Sequence, residues 1–150
     1  MIFVTVGTSL PHDSLIREMD NLVEDSTLNE EVVAQIGAGE YVPKHFESFR
    51  FRPTLEDFFE RADVIVSNCG AGTIMENVTK GRRLVVIQNP DITGGHEWEL
   101  VKKMEQGQHL VWCRSLEGLP QCIARARSAN LVRFSARPLD LSAVLADLLR

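Results

Sequence analysis

The chain has 150 residues, of which 44% are apolar and 25% are charged, and its formal net charge is −5. This composition excludes a disordered chain, and the lack of a basic stripe in the sequence argues against nucleic-acid binding. No apolar run of the sequence approaches the ~20 residues of a membrane span. We therefore expect one globular domain over residues 1–150, without a direct membrane span.

Short apolar runs alternate along the chain with segments whose apolar residues recur at helical spacing. Short, continuously apolar runs are typical of parallel strands that are covered on both faces. The predicted strands cover residues 2–6, 32–36, 46–51, 64–66, 84–87 and 110–112. The predicted helices cover residues 15–23, a segment that begins at Thr54, and residues 73–80, 97–106, 119–129 and 140–149. The alternation predicts an α/β fold with a Rossmann-like, doubly wound, mostly parallel sheet.

The cysteine pattern bears on the compartment in which the chain works. Cys69, Cys113 and Cys122 are far apart in the sequence and share no CxxC spacing. A sparse, odd number of cysteines indicates a reducing compartment rather than a disulfide framework. The apolar start also lacks the basic leader and the cleavage site of a signal peptide. We therefore predict a cytoplasmic location.

The segment from Ala62 to Glu76 carries the strongest chemical signal. An apolar strand runs into the small residues Gly70-Ala-Gly72, and a helix begins next to them. Small residues allow a ligand to approach the backbone, and the free N–H groups of a helix N-terminus suit a phosphate. Glu76, about one turn into the helix, is placed to accept hydrogen bonds from sugar hydroxyls beside that phosphate. A plain strand-to-helix turn explains the spacing equally well, because the segment is neither a GxGxxG nor a Walker motif.

The remaining candidate groups are isolated from one another. No His, Cys or Asp cluster in the sequence has metal-ligand spacing, and no Asp-x-Asp pair is available to chelate a metal diphosphate. We therefore predict chemistry without a metal or a separate cofactor. His12, in the loop after the first strand, is a tentative catalytic base, and a surface or capping role is the alternative.

The Ala62 to Glu76 segment resembles the donor-binding signature of glycosyltransferase family 28. The resemblance extends over nearly the whole chain through three further motifs: Gly7-Thr8, Gln35-Ile-Gly37 and Gly94-Gly-His-Glu-Trp-Glu-Leu100. The start, Met1 to Thr8, is similar to small single-domain members of the family. These are the PssE-type subunits of exopolysaccharide synthesis and the catalytic subunit of the dolichol-linked GlcNAc transferase. The resemblance implies the C-terminal, donor-binding half of a GT-B glycosyltransferase.

The resemblance also implies a role for each matching residue. Glu76 would bind the ribose hydroxyls of UDP, and backbone near Phe51 and Arg52 would pair with uracil. The diphosphate would lie at the N-terminus of the helix, and Gly7 and Thr8 would border the place where donor and acceptor meet. The implied substrate-binding residues are Gly7, Thr8, Phe51, Arg52, Asn68, Gly70, Ala71, Gly72, Thr73, Glu76, His96 and Glu97.

One motif departs from the family pattern. Family members commonly carry Asp-Asn-His-Gln beside the donor sugar, whereas this chain carries Gly94-Gly95-His96-Glu97. An ionised glutamate only accepts hydrogen bonds, whereas a glutamine also donates them. Glu97 would therefore favour a neutral hexose or N-acetylhexosamine over a sugar with a carboxylate. An exposed acid that merely favours the helix dipole is the alternative.

The resemblance implies the catalytic, donor-binding subunit of a two-component inverting glycosyltransferase. This subunit would transfer GlcNAc or another hexose from a UDP-sugar to a lipid-linked acceptor in polysaccharide or glycolipid biosynthesis. A membrane-associated partner subunit would bind the acceptor and recruit the chain to the cytoplasmic face of a membrane. The predicted helix 140–149 is a candidate docking segment, and it could equally cover the domain's own sheet. The alternative function is a non-catalytic nucleotide-sugar-binding or regulatory module.

Overall fold

A six-stranded parallel sheet forms the centre of the protein. Its structure is a computed structural model in which residues 1–7, 11–68, 70–88, 96–135 and 146 are described. The strands are β1 (Ile2–Thr5), β2 (Val32–Gln35), β3 (Glu47–Phe49), β4 (Val64–Asn68), β5 (Leu84–Ile87) and β6 (Val111–Cys113). Their order is β3-β2-β1-β4-β5-β6, and every neighbouring pair is parallel. This is the Rossmann strand order, so the predicted fold class is confirmed.

Helices cover both faces of the sheet. They are α1 (Asp13–Glu24), α2 (Glu56–Arg61), α3 (Ala71–Val78), α4 (His96–Gln106) and α5 (Leu119–Ser128), and a short 3₁₀ turn precedes α5. Apolar residues of α1 and α5 form one core with the side chains of one sheet face. Those of α2, α3 and α4 form a second core on the opposite face. The continuous burial of the central strands follows from this arrangement, since no face of the sheet is left to solvent.

The observed element boundaries agree with the predictions to within two residues. The helix predicted to begin at Thr54 begins at Glu56, because the Thr54 hydroxyl accepts a hydrogen bond from the Glu56 N–H at 3.3 Å and stands ahead of the first turn. Helix α3 begins at Ala71 rather than at Thr73, so Gly72 lies inside its first turn. The predicted helix 140–149 lies outside the described residues, except for position 146.

The carboxyl ends of three strands lie side by side. Thr5 at the end of β1 pairs in register with Gln35 of β2 and with Ser67 of β4. Strand β1 leads to α1 on one face of the sheet, whereas β4 leads to α3 on the opposite face. A crevice therefore opens above the ends of β1 and β4, where the chain direction switches sides.

The segment after β3 is held against the end of β2. Backbone hydrogen bonds continue beyond the strands, from the Gly37 N–H to the Arg50 carbonyl at 3.0 Å. The Arg50 guanidinium donates to the carbonyls of Gly37 and Gly39 at 3.1 and 2.7 Å. Gly37 has a positive φ of 61°, which favours glycine. These contacts fix Phe51 and the residues after it beside the crevice.

A buried carboxylate anchors the loop between β2 and β3 to helix α1. Asp20 accepts hydrogen bonds from the Tyr41 hydroxyl at 2.6 Å and from the Lys44 and His45 N–H groups at 2.9 Å. Burial raises the pKa of Asp20, but these donors and the His45 ring outweigh burial and hold the pKa below its usual value. The loop is therefore tied to a charge that α1 keeps inside the molecule.

Candidate functional site

Two adjoining clefts open at the carboxyl end of the sheet. The outer cleft has a volume of about 290 Å³ and is bordered by Phe51, Arg52, Thr54 and Glu76 among others. The inner cleft has a volume of about 240 Å³ and is bordered by Val6, Gly7, Asn68 and Gly70 among others. Three residues line both clefts, namely Gln35, Leu55 and Thr73. The two clefts therefore form one continuous groove from the outer surface to the end of β1.

The N-terminus of α3 forms one wall of this groove. The helix begins at Ala71 without a side-chain cap, and its first intrahelical hydrogen bond runs from the Ile74 N–H to the Gly70 carbonyl. The N–H groups of the first helical residues therefore point out of the helix, at the positive end of its dipole. Such an end suits an anion, and a phosphate above all.

Two glycines leave the space in front of this helix end open. A Cβ atom at Gly70 or Gly72 would meet no atom of the described residues within 4 Å, apart from the chain neighbours and the backbone of the helix itself. Gly70 has φ −131° and ψ 123°, an extended conformation that any residue adopts. The backbone itself does not require glycine at this position. Glycine there keeps a side chain out of the inner cleft, as the approach of a ligand would require.

The outer cleft combines an aromatic side chain with a carboxylate. The Phe51 ring is 66% exposed, and Glu76 faces the same cleft from α3. The Arg52 guanidinium lies over the rings of Phe49 and Phe58, at 4.5 and 5.2 Å from their centres. Its charge is used in packing against the aromatic core, so the backbone of this segment remains as the polar edge toward the cleft.

A row of buried polar side chains runs across the sheet at this end. Thr5, Gln35 and Ser67 are 4%, 4% and 1% exposed. The Gln35 side-chain N–H₂ donates to the Thr5 hydroxyl at 3.2 Å. The sequence analysis did not assign Thr5, Gln35 or Leu55 to the site. The available signal was a polar residue at the end of an otherwise apolar strand.

An ion-pair cluster joins α2 to the turn after α3. The Glu56 carboxylate accepts hydrogen bonds from Arg82 at 2.6 Å and from Lys80 at 2.9 Å. The hydrogen bond from Arg82, followed by that from Lys80, lowers the pKa of Glu56 to about 2. Because Leu55 directly precedes α2 and lines both clefts, this cluster fixes the two helices that border the groove.

The structure places most of the predicted site residues together and leaves some outside its description. Seven of them line the groove: Gly7, Phe51, Arg52, Asn68, Gly70, Thr73 and Glu76. Ala71 and Gly72 lie in the first turn of α3. Thr8 lies outside the described residues, and His96 and Glu97 begin α4 with side chains that are likewise outside them.

His12, the predicted base, directly precedes α1 and is 3% exposed. Its carbonyl accepts the N–H groups of Leu15 and Ile16, as the residue before a helix does. His12 therefore occupies the N-cap position of α1 without a side-chain capping hydrogen bond, and its burial contradicts the surface role. A catalytic role for His12 stays a prediction.

A larger cavity lies elsewhere on the protein. It has a volume of about 600 Å³ and is lined by residues near the start of β6 and the end of α5, such as Leu110, Arg125 and Leu131. Ligands of open α/β sheets bind at the carboxyl ends of the strands. We therefore take the groove beside α3 as the candidate site.

The described residues contain neither a candidate membrane span nor a candidate metal site. No described helix is long and apolar enough to cross a membrane. Within the same part of the chain, no group of three or more His, Cys, Asp or Glu side chains is placed to hold a metal ion.

The comparison with protein families places the fold in a known group. Residues 1–138 match the glycosyltransferase family 28 C-terminal domain. The chain belongs to this family. The family resemblance of the sequence is thereby confirmed. Three of the segments that carried it, those around Gly7, Gln35 and Gly70, line the groove.

Four proteins with similar sequences share one name. The UDP-N-acetylglucosamine transferase subunit ALG13 of Mus musculus is 35% identical over 122 residues, which cover 74% of this chain and 10% of the relative. The subunit of the same name from Yarrowia lipolytica is 23% identical over 124 residues, which cover 74% of this chain and 63% of the relative. The chain spans about a tenth of the length of the mouse and human relatives that it matches.

Solved structures share the fold. An NMR solution structure of ALG13 has a TM-score of 0.63 at 15% identity and covers 97% of this chain and 94% of that one. MurG of Acinetobacter baumannii has a TM-score of 0.66 at 18% identity and covers 87% of this chain and 42% of that one. These likenesses show the fold, which is the predicted Rossmann-like half of a GT-B glycosyltransferase.

Proposed function

We propose that the chain is the catalytic, donor-binding subunit of a two-component inverting glycosyltransferase that uses a UDP-sugar. The observation that carries the proposal is the uncapped N-terminus of α3, which opens onto a groove that Gly70 and Gly72 leave free of side chains. Membership of family 28 supports the reaction class. The names of the relatives support UDP-GlcNAc as the donor.

The two parts of UDP occupy different clefts of the groove. The nucleoside occupies the outer cleft, with uracil beside the backbone of Phe51 and Arg52 and with ribose beside Glu76. The diphosphate occupies the inner cleft, where the N–H groups of α3 face it from Gly70 to Thr73. The donor sugar then lies beyond the diphosphate, toward Gly7 and Thr8 and toward the start of α4 at His96 and Glu97.

The reaction is a displacement at the anomeric carbon. The hydroxyl of the acceptor attacks this carbon while UDP leaves, and the negative charge on the diphosphate grows as the bond breaks. The N-terminus of α3 stabilises this developing charge without reorganising, which lowers the barrier more than it strengthens ground-state binding. The same backbone charge provides the stabilisation that a divalent cation provides in other transferases. A general base from the partner chain or His12 takes the acceptor proton.

The acceptor side of the reaction belongs to a second chain. The described residues build one sheet, and the groove beside α3 at its carboxyl end is occupied by the donor. A membrane-associated partner subunit therefore binds the lipid-linked acceptor and brings this chain to the cytoplasmic face of a membrane. The word "subunit" in the names of the relatives supports this division.

The test is calorimetric titration of the purified chain with UDP, UDP-GlcNAc, UDP-glucose and UDP-glucuronate, each with magnesium and with a chelator. We expect UDP to bind equally well in both conditions and the neutral sugars to bind better than the glucuronate. A chain that binds no uridine nucleotide would refute the proposal. Binding without transfer in the reconstituted pair would instead support the alternative, a non-catalytic nucleotide-sugar-binding module.

A further inference from the structure

The side chain of Gln35 is placed between the two clefts and uses only half of its hydrogen-bonding capacity. It lines the outer and the inner cleft, and it is 4% exposed. Its N–H₂ group donates to the Thr5 hydroxyl at 3.2 Å. Its carbonyl oxygen, Oε1, is buried and has no hydrogen-bond partner among the described residues. Buried polar atoms of this kind usually have a partner, so this oxygen calls for an explanation.

The chemistry of the oxygen restricts its partner. A side-chain carbonyl oxygen can only accept a hydrogen bond. The ionised diphosphate of UDP carries acceptors alone, so it cannot satisfy this atom. The donors of UDP are the N3–H group of uracil and the two ribose hydroxyls.

The position of Gln35 decides between these donors. Uracil lies beside Phe51 at the outer end of the groove, whereas the diphosphate lies beside Gly70 at its inner end. The ribose joins these two parts, and Gln35 lines both clefts where they meet. A ribose hydroxyl is therefore the donor group that the junction brings to Gln35.

We infer that Gln35 is a second ribose-binding residue, whose Oε1 accepts a hydrogen bond from one of the two ribose hydroxyls. Glu76 then accepts from the other hydroxyl, so that α3 and β2 hold the sugar ring from two sides. Thr5 acts as a positioning residue, because its hydroxyl accepts a hydrogen bond from the Gln35 N–H₂ group. This inference rests on the proposed function, and it adds a selection for ribonucleotides over deoxyribonucleotides.

The burial of Gln35 makes this selection effective. A deoxy analogue would leave Oε1 without a donor in a site that excludes water. A site built around a hydrogen bond discriminates well against ligands that lack the group, because the buried partner then stays unsatisfied.

The experiment compares three ligands and three proteins by calorimetry. The ligands are UDP, 2′-deoxy-UDP and 3′-deoxy-UDP, and the proteins are the parent chain, Gln35→Met and Ser67→Ala. Ser67 is the matched control, because its side chain is also buried, in β4 on the other side of β1, and is not among the residues that line either cleft. Thermal unfolding of each variant reports on the fold.

We expect Gln35→Met to bind UDP about three- to tenfold more weakly than the parent. For one of the two deoxy analogues the parent and Gln35→Met should bind equally, since the hydroxyl that Gln35 contacts is absent. Ser67→Ala should bind all three ligands as the parent does. If Gln35→Met loses the same factor for every ligand, or none for UDP, the inference is wrong while the proposed function stands. A parent chain that binds no UDP would instead refute the proposed function, and the inference with it.

A measurement on the parent chain keeps the test independent of how Gln35→Met folds. The side-chain amide signals of Gln35 can be followed by NMR during titration. Saturation with UDP should shift them clearly, and saturation with one of the deoxy analogues should shift them much less. Equal shifts with all three ligands would overturn the inference.

Discussion

At the scale of single residues, the groove depends on one carboxylate and on one absent side chain. Glu76 faces the outer cleft about one turn into α3. We expect Glu76→Ala to weaken UDP binding by roughly 1.5–3 kcal/mol, because a charged hydrogen-bond acceptor is lost. Calorimetric titration with UDP measures this, and circular dichroism shows whether the variant is folded. If the variant is folded and binds UDP with the parent's affinity, Glu76 does not contact UDP.

Gly70 allows binding and stability to be separated. A Cβ atom at this position would meet no atom of the described residues within 4 Å, and the backbone conformation suits any residue. We expect Gly70→Leu to unfold at the parent's temperature or slightly above it, since replacing glycine reduces the entropy of the unfolded chain. The same variant should bind UDP at least about tenfold more weakly, because the side chain fills the inner cleft.

Gly118→Leu is the matched control for this prediction. A Cβ atom at Gly118 would meet only the Ser115 hydroxyl among the described residues, at 3.6 Å, which is an ordinary contact distance. Gly118 lies directly before α5 and lines neither cleft. This variant should keep the parent's affinity for UDP. Undiminished binding by Gly70→Leu would show that the ligand does not lie in front of α3.

At the scale of the elements, the Glu56 ion pairs should appear in the acid stability of the protein. The pKa of Glu56 is lowered from 4.5 to about 2, first by the hydrogen bond from Arg82. A lowered pKa in the folded state contributes stability that is fully present above pH 4.5 and is lost as the pH falls toward 2.

We therefore expect Glu56→Gln to lower the melting temperature at pH 7 and to match the parent near pH 2. Melting curves of both proteins between pH 2 and pH 7 measure this difference. Glu117→Gln, a change in the 3₁₀ turn before α5, controls for the loss of one negative charge. A constant difference between Glu56→Gln and the parent at all pH values would contradict the assignment.

The elements also show which parts of the fold the sequence could predict. The four central strands, β2, β1, β4 and β5, are largely apolar runs, so they were predictable from the sequence. The alternating Phe46, Phe49 and Phe51 predicted a longer third strand than Glu47–Phe49. The strand is shorter because Phe51 turns into the outer cleft, where it is exposed. Periodicity alone does not distinguish a ring that packs on the sheet from one that lines a groove.

The helix N-terminus of the candidate site could be predicted from the sequence, whereas the buried polar side chains beside it could not. The small residues around Gly70 mark a helix N-terminus directly in the sequence. Gln35 stands in the Gln35-Ile-Gly37 motif, but the motif does not show that its side chain is buried, because a polar residue at the end of a strand is equally compatible with simple exposure. Its burial and its bond to Thr5 follow only from the pairing of β1 with β2.

At the scale of the whole molecule, the proposed function assigns one substrate to the groove beside α3. We expect the purified chain to bind UDP-sugar and to transfer no sugar until an acceptor-binding partner is added. Transfer of a radiolabelled sugar to a lipid-linked acceptor, with and without the partner, measures this. The reconstituted pair with Gly70→Leu should be inactive and serves as the control. Robust turnover by the single chain would contradict the division between two subunits.

The crevice between β1 and β4 has a consequence for how such proteins diverge. It arises because α1 and α3 leave neighbouring strands on opposite faces of the sheet, whatever side chains those helices carry. ALG13 and MurG share the fold with this chain at 15% and 18% identity. Drift in sequence can therefore replace most residues while the crevice persists. Under the proposed function, changes in the residues that follow the strands are enough to alter the donor sugar, so donor preference can evolve faster than the domain that carries it.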